Sequence, residues 1–404
     1  MDDNTREFIC TFEKFYVPMD YGDSDCIRLT GFDRNMVNEE SVTIETYTVD
    51  IDCQTFLAIK SQDNNIYTRY FLKGFMDGDY YVILKFQLST QKDAYYYRTF
   101  NTLGDIKNNK VYYIEIKKLS FQRKNSLNKV RNHDLYFKFI TLENKSKGED
   151  VCESLPNKVF LKAYQVGQGM CSLLHNDTTG YLIDCGIGTP FKKQNYNGIN
   201  NSLLADIKKL STVNLILSHL DTDHYRLISW DSIILDKIKK IYIPSGVSGI
   251  ICNDILIKNL IHHCSTITIN MNVGKLSSYR TAPTIRVHDK NSNSLITVIS
   301  TDSEDILYPA DYSYSLIKSD RRTEIQQLKF RKYSFISVPH HGDEESGLGV
   351  FNPKNIDSLA FFSAGNHKGY HHPTDCSIHS HSKKGYVNII DNLLVDIESI
   401  EVPL

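Results

Sequence analysis

The sequence predicts an α+β chain of two domains: a β-rich unit over residues 1–141, a linker at 142–158, and a layered α/β domain over 159–404. Three observations predict it. A chain of 404 residues exceeds what one ordinary compact domain holds. Its first third breaks into short runs rich in β-branched and aromatic residues. The remainder alternates short apolar runs with segments of helical pattern, and His/Asp-rich turns follow several of those runs. With 41% hydrophobic and 23% charged residues the composition is that of a folded globular protein, which excludes a disordered chain. A formal net charge of −2 gives no sequence-independent grip on polyanions, although a local basic groove is compatible with it.

In the N-terminal unit, strands are expected at 42–51, 55–60, 67–72, 80–88 and 111–116, with a turn at Asp77-Gly78-Asp79. Twenty-five Tyr against one Trp also suits strands, because Tyr fits a pleated, half-buried face. The run 117–129 carries five Lys and Arg residues and reads as a solvated edge rather than a nucleic-acid contact. No repeat and no catalytic motif occurs here. Substrate recognition, tethering of a protein partner and shielding of the site are the roles open to this unit. The start of the chain lacks the basic and apolar regions of a secretory signal, and no run approaches the ~18 apolar residues of a membrane span. Nine cysteines without a C-x-x-C pair argue against a disulfide framework or a cysteine-rich zinc site. Cys171, Cys185 and Cys264 are expected as buried thiols, and the cytoplasm as the compartment.

The polar stretch 142–158, with a proline near its end, marks the linker. After it, strands are expected at 159–165, 171–174, 181–184, 213–218, 240–243, 285–288, 296–300, 306–308, 335–338 and 359–363, and a helix at 200–210. His262 and His263 fall in an apolar stretch, 255–264, read as helical and partly buried. They are held in reserve as site histidines, as is His288. His379 and His381 are expected to be exposed.

Four elements carry the chemistry. The first is Ser218-His219-Leu220-Asp221-Thr222-Asp223-His224, in which four potential ligands directly follow an apolar strand. A capped helix N-terminus would explain one or two of them, but not four buried polar groups in need of compensation. A pair of divalent cations supplies that compensation, with His219 and Asp221 serving one and Asp223 and His224 the other. The second element is Asp311, a carboxylate after a strand that could bridge two cations. The third is His340-His341-Gly342, and the fourth is His371-His372-Pro373. Each alone is weak; four strand-then-ligand elements in order point to one convergent site.

These motifs resemble those of metallo-β-lactamase-fold hydrolases, and more narrowly the hydrolase domain of ComEC-type DNA-uptake proteins. Val166-Gly167-Gln168-Gly169 is similar to the family's opening turn, and Tyr181 to Gly186 to its second strand with the supporting Asp184. Residues 218–224 are similar to its metal motif, Pro309-Ala310-Asp311 to its Thr-Gly-Asp, and His340-His341-Gly342 to its double-His motif. Ser363-Ala364-Gly365-Asn366 through His372-Pro373 is similar to its closing motif. The resemblance spans about residues 158–390 and implies an αββα sandwich. The chain departs from the pattern at Met170 (usually Asp), at Tyr225 (a Gly is missing), at Pro309-Ala310, and at Asp343 (usually Ser).

The resemblance implies two divalent metal ions, Zn or Mn, and a metal-activated water as nucleophile. Asp221 stands where many zinc hydrolases of this fold carry a His, which hardens the site toward Mn²⁺. The expected ligands are His219, Asp221, Asp223, His224, Asp311, His341 and His372, with Asp184 orienting a ligand histidine. One of His340 and His341 is a ligand, with His341 placed in that set, and the other an electrophile toward the substrate or a supporting group. His372 is a ligand or a general acid, and Asp223, His340 and His372 form the catalytic set. The favoured activity is phosphodiester hydrolysis, with a nucleic acid or nucleotide as substrate. Hydrolysis of a lactone, thioester or lactam is the alternative enzyme reading, and an effector with a structural metal site the non-enzymatic one.

Overall fold

The computed structural model describes residues 5–36, 43–62, 80–90, 94–102, 110–123, 148–196, 198, 201–247, 249–284, 291–365, 370–391 and 396–404. They belong to two units: Met1–Lys145 with Lys192–Asn195 and Ser248–Asn259, and Ser146–Phe191 with Tyr196–Val247 and Leu260–Leu404.

The first unit is a closed β-barrel. Its elements are β1 (Arg6–Pro18), β2 (Asp25–Asp33), β3 (Tyr47–Asp52), α1 (Cys53–Gln62), β4 (Tyr80–Ser89), β5 (Ala94–Arg98) and β6 (Tyr112–Arg123). The order around the barrel is β1-β2-β3-β5-β6-β4, closed by antiparallel pairing of β4 with β1. Closure leaves no unpaired edge. Alternate residues fill its interior: Phe8 and Cys10, Ile27 and Leu29, Val49 and Ile51, Val82, Leu84 and Phe86, Ala94 and Tyr96 share one core. The expectation of a β-rich unit becomes a specific architecture here, and β1, β2 and β5 are strands the sequence reading did not anticipate. The run 55–60, expected as a strand, lies in α1. The Asp52 carboxylate accepts from the backbone N–H groups of Gln54 (2.9 Å) and Thr55 (3.2 Å), capping the helix start. Phe56 is buried while Cys53 and Ile59 pack at helical spacing on the same core. The expected strand 67–72 and the turn at 77–79 lie outside the described residues.

Two short segments from the expected C-terminal domain complete this unit. Thr46 donates through its backbone N–H (2.8 Å) and hydroxyl (2.6 Å) to Asp254, and the Lys193 ammonium donates to the Arg98 and Thr99 carbonyls (3.2 Å each).

The second unit begins inside the expected linker, where β7 (Glu149–Leu155) is a strand. Its polar, alternately exposed residues hid the period, because it pairs in parallel with β13 and offers little apolar surface. The strands that follow are β8 (Phe160–Tyr164), β9 (Cys171–His175), β10 (Thr179–Cys185), β11 (Thr212–Ile216), β12 (Ile238–Pro244), β13 (Ile261–Met271), β14 (Gly274–Arg280), β15 (Leu295–Thr301), β16 (Asp305–Tyr308), β17 (Lys332–Tyr333), β18 (Phe335–Ser337), β19 (Asn352–Pro353), β20 (Leu359–Phe362), β21 (Val387–Ile390) and β22 (Ser399–Val402). The main ladder runs β21-β20-β18-β16-β15-β14-β13-β12-β11-β10-β9-β8-β22, while β17 and β19 pair apart. The helices are α2 (Ser202–Lys209), α3 (Thr222–Trp230), α4 (Ser232–Lys237), α5 (Tyr314–Ser319), α6 (Thr323–Gln326) and α7 (Asp375–Lys384). Asn201 caps α2 by accepting from the Leu204 N–H at 3.0 Å.

Strands from the two halves of the ladder share one core: Leu174, Ile183 and Ile216 from one half join Leu295, Ile299, Ile306, Phe335 and Phe361 from the other. The intervening residues Ile296, Val298, Leu307, Ile336, Ala360 and Phe362 point the opposite way, into a second core with Tyr314, Ile317, Ile325 and Leu328. Burial on both faces explains why these runs read as continuously apolar. Cys171, Cys185 and Cys264 are buried free thiols. Among the described residues no helix is long and apolar enough to cross a membrane. The stretch 255–264 is not a continuous helix: a 3-10 turn (Lys258–Leu260) leads into β13, which places His262 and His263 on a strand.

His379 is exposed, but His381, expected at the surface, is fully buried on the inner face of α7. Its Nδ1–H donates to the Ser377 carbonyl (2.8 Å), so its Nε2 accepts from the Tyr314 hydroxyl (2.9 Å). Burial pushes its pKa down to about 4, against the opposing pull of that carbonyl. Between about 4 and the ordinary value near ~6.5 the unfolded chain binds the proton and the folded one does not. Stability therefore falls as pH drops through that window, by up to about 3 kcal/mol. Urea unfolding at pH 7 and pH 4.5 is expected to show His381→Gln losing less stability on acidification than the parent. Identical acid slopes would remove His381 from the account.

Candidate metal centre

The site is assembled from loops at the carboxyl ends of β10, β11, β16, β18 and β20. β10 and β11 are parallel and in register at Ile183 and Ile216, and β16, β18 and β20 are parallel through Ile306, Phe335 and Leu359. The loops of both groups therefore emerge on one rim. At the start of β15 the Leu295 N–H donates to the Ser218 carbonyl after β11 (2.8 Å), and within the second group the His340 N–H donates to the Ala310 carbonyl (3.1 Å). Behind the rim, the Met170 N–H donates to the Asp223 carbonyl (3.1 Å) and the Gly186 N–H to the Met170 carbonyl (2.7 Å). Gly186 is required by close approach, since a Cβ there would sit 1.5 Å from the Asp223 carbonyl oxygen.

Five of the six described non-glycine residues with positive φ belong to this rim: Asp184 (55°), Ala310 (54°), His340 (47°), His341 (57°) and His371 (55°). Such conformations cost free energy and persist where the surrounding structure over-determines them. Because both His340 and His341 are left-handed, their adjacent side chains diverge.

Three histidine rings are held from behind through Nδ1. His219 Nδ1 meets Ser218 Oγ at 3.1 Å, His224 Nδ1 meets Asp184 Oδ2 at 2.8 Å, and His341 Nδ1–H donates to the Ser363 carbonyl at 2.7 Å. Asp184 also accepts from the Ser218 N–H (2.7 Å) and hydroxyl (2.8 Å). The Nε2 atoms of all three rings and Oδ1 of Asp311 are buried without a hydrogen bond. Asp311 lies between them. Its Oδ1 is 3.2 Å from His224 Nε2 and 4.0 Å from His341 Nε2, and its Oδ2 is 3.5 Å from His219 Nε2 and 3.8 Å from His340 Nε2. The ligand atoms of His219, His224 and Asp311 lie within 4.8 Å of one another, as do those of Asp223, His224 and His341.

Asp221 occupies the N-cap position of α3, yet its carboxylate caps nothing in the helix and lies 3.8 Å from His219 Nε2. Asp223, in the first turn, is 3.2 Å from His341 Nε2. His372 stacks on Tyr370 with ring centroids 5.9 Å apart and meets His340 edge-on at 5.6 Å, and its Nδ1 is buried without a hydrogen bond. The structure thus gathers His219, Asp221, Asp223, His224, Asp311, His340, His341 and His372 on one rim, with the Asp184 carboxylate behind the His224 ring. It leaves His262 and His263 out of these clusters, His262 packing against Tyr242, and His288 lies outside the described residues. Sequence reading gave no role to Asp343 or Asp391. The Asp343 carboxylate holds His340 Nδ1 at 3.0 Å, and Asp391 accepts from the Gly167 N–H at 2.7 Å. The i,i+3 spacing of His340 and Asp343 was the available signal for the first.

The electrostatics match a cation site. Burial would raise the Asp311 carboxyl, but His224, His340 and His219 hold it well below the usual range. Burial would lower His224, yet Asp184 and Asp311 hold it well above its ordinary value. His219 is likewise raised against burial and His224 by Asp221 and Asp311. His372 is pushed down to about 4 by burial and by His341 and His340. The buried carboxylates favour positive charge at His219 and His224, and a divalent cation would supply that charge in place of protons. Donors about 2.1 Å from one ion at a tetrahedral angle lie about 3.4 Å apart. The four separations around Asp311, 3.2, 3.5, 3.8 and 4.0 Å, run from just below that value to somewhat above it. The residues fit divalent metal.

Asp184→Asn isolates the charge, since Asn tolerates positive φ. It is expected to cost about 1.5–3 kcal/mol in urea unfolding and to weaken metal binding about 10- to 100-fold. Unaltered affinity in a Zn²⁺ or Co²⁺ titration would show that Asp184 does not orient His224.

No protein-family model and no curated protein matches the chain. Among solved structures, the chain is similar to CmlA, a diiron beta-hydroxylase from Streptomyces venezuelae, at 12% identity and TM-score 0.34, over 61% of this chain and 55% of that one. It is similar to human tRNase Z, short form, at 12% identity and TM-score 0.33, over 60% of this chain and 100% of that one. It is also similar to YhfI, a metallo-beta-lactamase fold protein from Bacillus subtilis, at 14% identity and TM-score 0.30, again over 60% and 100%. The chain thus spans about half the length of the hydroxylase.

Proposed function

We propose that the chain is a divalent-metal hydrolase of the metallo-β-lactamase fold, akin to the hydrolase domain of ComEC-type proteins, that cleaves phosphodiesters as a nuclease or nucleotide phosphodiesterase. One observation carries the metal reading: three buried rings pinned at Nδ1 turn Nε2 atoms without hydrogen bonds toward a shared carboxylate. Cores on both faces of the strands, with α5 and α6 contributing to one of them, support the helix-sheet-sheet-helix layering. The order of motifs supports the family reading.

His219, Asp221, Asp223, His224, Asp311 and His341 would hold two ions, Zn or Mn. Bound there, divalent cations supply Lewis acidity and lower the pKa of a coordinated water toward ~7. Three carboxylates offset most of their charge, and Asp221 in place of an imidazole favours a hard ion and an anionic, oxygen-rich substrate. Asp184, Ser218 and the Ser363 carbonyl fix the rings, so little reorganisation accompanies reaction. His372, whose Nδ1 is buried without a hydrogen bond, would exchange a proton with a leaving group.

The test is a substrate panel under Mn²⁺ or Zn²⁺: bis-p-nitrophenyl phosphate, plasmid, single-stranded DNA, RNA and cyclic dinucleotides, against a chromogenic lactam and lactone. Cleavage of a phosphodiester that disappears in Asp311→Ala supports the proposal. Turnover confined to the lactam or lactone overturns the substrate class, and protein that retains no metal overturns the enzyme reading.

A further inference from the structure

The core shared by the two halves of the ladder changes character toward the rim. Its inward positions Ile299, Ile306 and Phe335, on β15, β16 and β18, are apolar. Two residues nearer the rim, the same face of those strands carries hydroxyls at Thr297, Tyr308 and Ser337. On β9, Ser172 stands in the same relation to Leu174. With Ser218 and Ser363 these hydroxyls line one cavity beneath the rim.

Three of the six hydroxyls are committed elsewhere: Ser218 to Asp184 (2.8 Å), Thr297 to Ser278 (2.8 Å) and Ser363 to the Gly169 carbonyl. Tyr308 is different. Its side chain is buried, 6% exposed, and its hydroxyl makes no hydrogen bond among the described residues. Burial raises the pKa of that phenol, and the Ser172 hydroxyl beside it draws it back. A buried phenol usually finds a partner, because the loss of its hydration is otherwise uncompensated. The cavity offers about 10 Å³ to the centre of a water-sized molecule. One water needs about 10–15 Å³ by that measure, and an organic ligand needs far more. Cavities that stay dry have apolar walls, whereas this wall presents the hydroxyls of Ser172, Tyr308 and Ser337.

We propose that this cavity is an internal water site, in which one water accepts from the Tyr308 hydroxyl and bonds to the hydroxyls of Ser172 and Ser337. Three partners are the usual number for a buried water. Ser172 belongs to β9, in one half of the ladder, and Tyr308 and Ser337 to β16 and β18, in the other. The water therefore bridges the two halves one layer below the rim. The loop after β11 carries His219 and His224, and those after β16 and β18 carry Asp311 and His341. A bridge at this level ties together the strands that hold the two sets of side chains. It needs no bound ion, so it stands apart from the metal reading above.

The experiment is a crystal structure of the full chain, stripped of metal, at a resolution that shows ordered water, together with thermal unfolding of the parent and of Tyr308→Phe. The expected result is a density peak within hydrogen-bonding distance of Tyr308 Oη and of the Ser172 and Ser337 hydroxyls. No peak there, in a map with ordered water elsewhere, would overturn the proposal, and so would a Tyr308 hydroxyl turned onto a protein group. Tyr308→Phe removes one partner of the water and is expected to melt about 1–5 °C below the parent. A dry cavity predicts the reverse, because phenylalanine then removes an uncompensated hydroxyl. A variant that melts at or above the parent would therefore overturn the water site. The crystallographic arm uses the parent chain alone, so it decides even where the variant fails to fold. Either failure leaves the metal reading standing, since no ion enters the measurements.

Discussion

Asp311→Asn is expected to lose both metal equivalents at micromolar protein and to reduce phosphodiester turnover by at least about 100-fold. The substitution keeps size and shape and removes the charge, which separates ligation from packing. Among the described residues, Asp311 is the carboxylate with an oxygen toward each donor set, Oδ1 toward His224 and His341 and Oδ2 toward His219 and His340. Loss of a group that merely supports a ligand costs about 10- to 100-fold in affinity, so loss of a shared anionic donor costs at least the upper end of that range at each site. The metal-free protein should respond differently. Its His219 and His224 are raised partly by Asp311, so the variant's imidazoles will bind protons less readily. Metal content after dialysis and turnover of bis-p-nitrophenyl phosphate are the measurements. A variant that keeps two ions at parental affinity would remove Asp311 from the bridging position.

The parts of this molecule legible in sequence are those whose chemistry is local. Four ligand-type residues within 219–224 require an explanation whatever the tertiary structure, and strands buried on both faces, such as β15 and β20, announce themselves as apolar runs. What stayed hidden depends on partners distant in the chain. β7 is polar because it contributes pairing rather than burial, and it reads as a linker until β13 lies beside it. The run at 55–60 has strand-like composition, and only the Asp52 cap and the spacing of Cys53, Phe56 and Ile59 turn it into α1. His381 sits in a Ser- and Lys-rich segment, and its burial depends on Tyr314, 67 residues away, whose hydroxyl donates to it. His340 and His341 are indistinguishable as letters. Two consecutive left-handed residues send one to the Oδ2 side of Asp311, beside Asp343, and the other to the Oδ1 side, beside the Ser363 carbonyl.

Arg28→Met is the substitution expected to damage the barrel most, by about 3–5 kcal/mol. Arg28 is 3% exposed and forks onto Asp50, with Nε to Oδ1 and Nη2 to Oδ2 both at 2.6 Å, while Asp20 Oδ1 lies 3.4 Å from Nη2. Tyr97 joins the two carboxylates, donating to Asp20 at 2.8 Å and reaching Asp50 at 3.1 Å. Methionine fills much of the volume and leaves those carboxylates buried without their guanidinium, the costly half of breaking such a pair. Lysine is no substitute, because an ammonium cannot reproduce the fork. One further outcome separates this account from simple loss of packing. Arg28→Met combined with Asp50→Leu should recover part of the loss, because one of the two uncompensated carboxylates is gone while Asp20 remains. Urea unfolding followed by circular dichroism supplies both numbers. A double variant whose losses simply add would mean that Arg28 stabilises the barrel by packing alone.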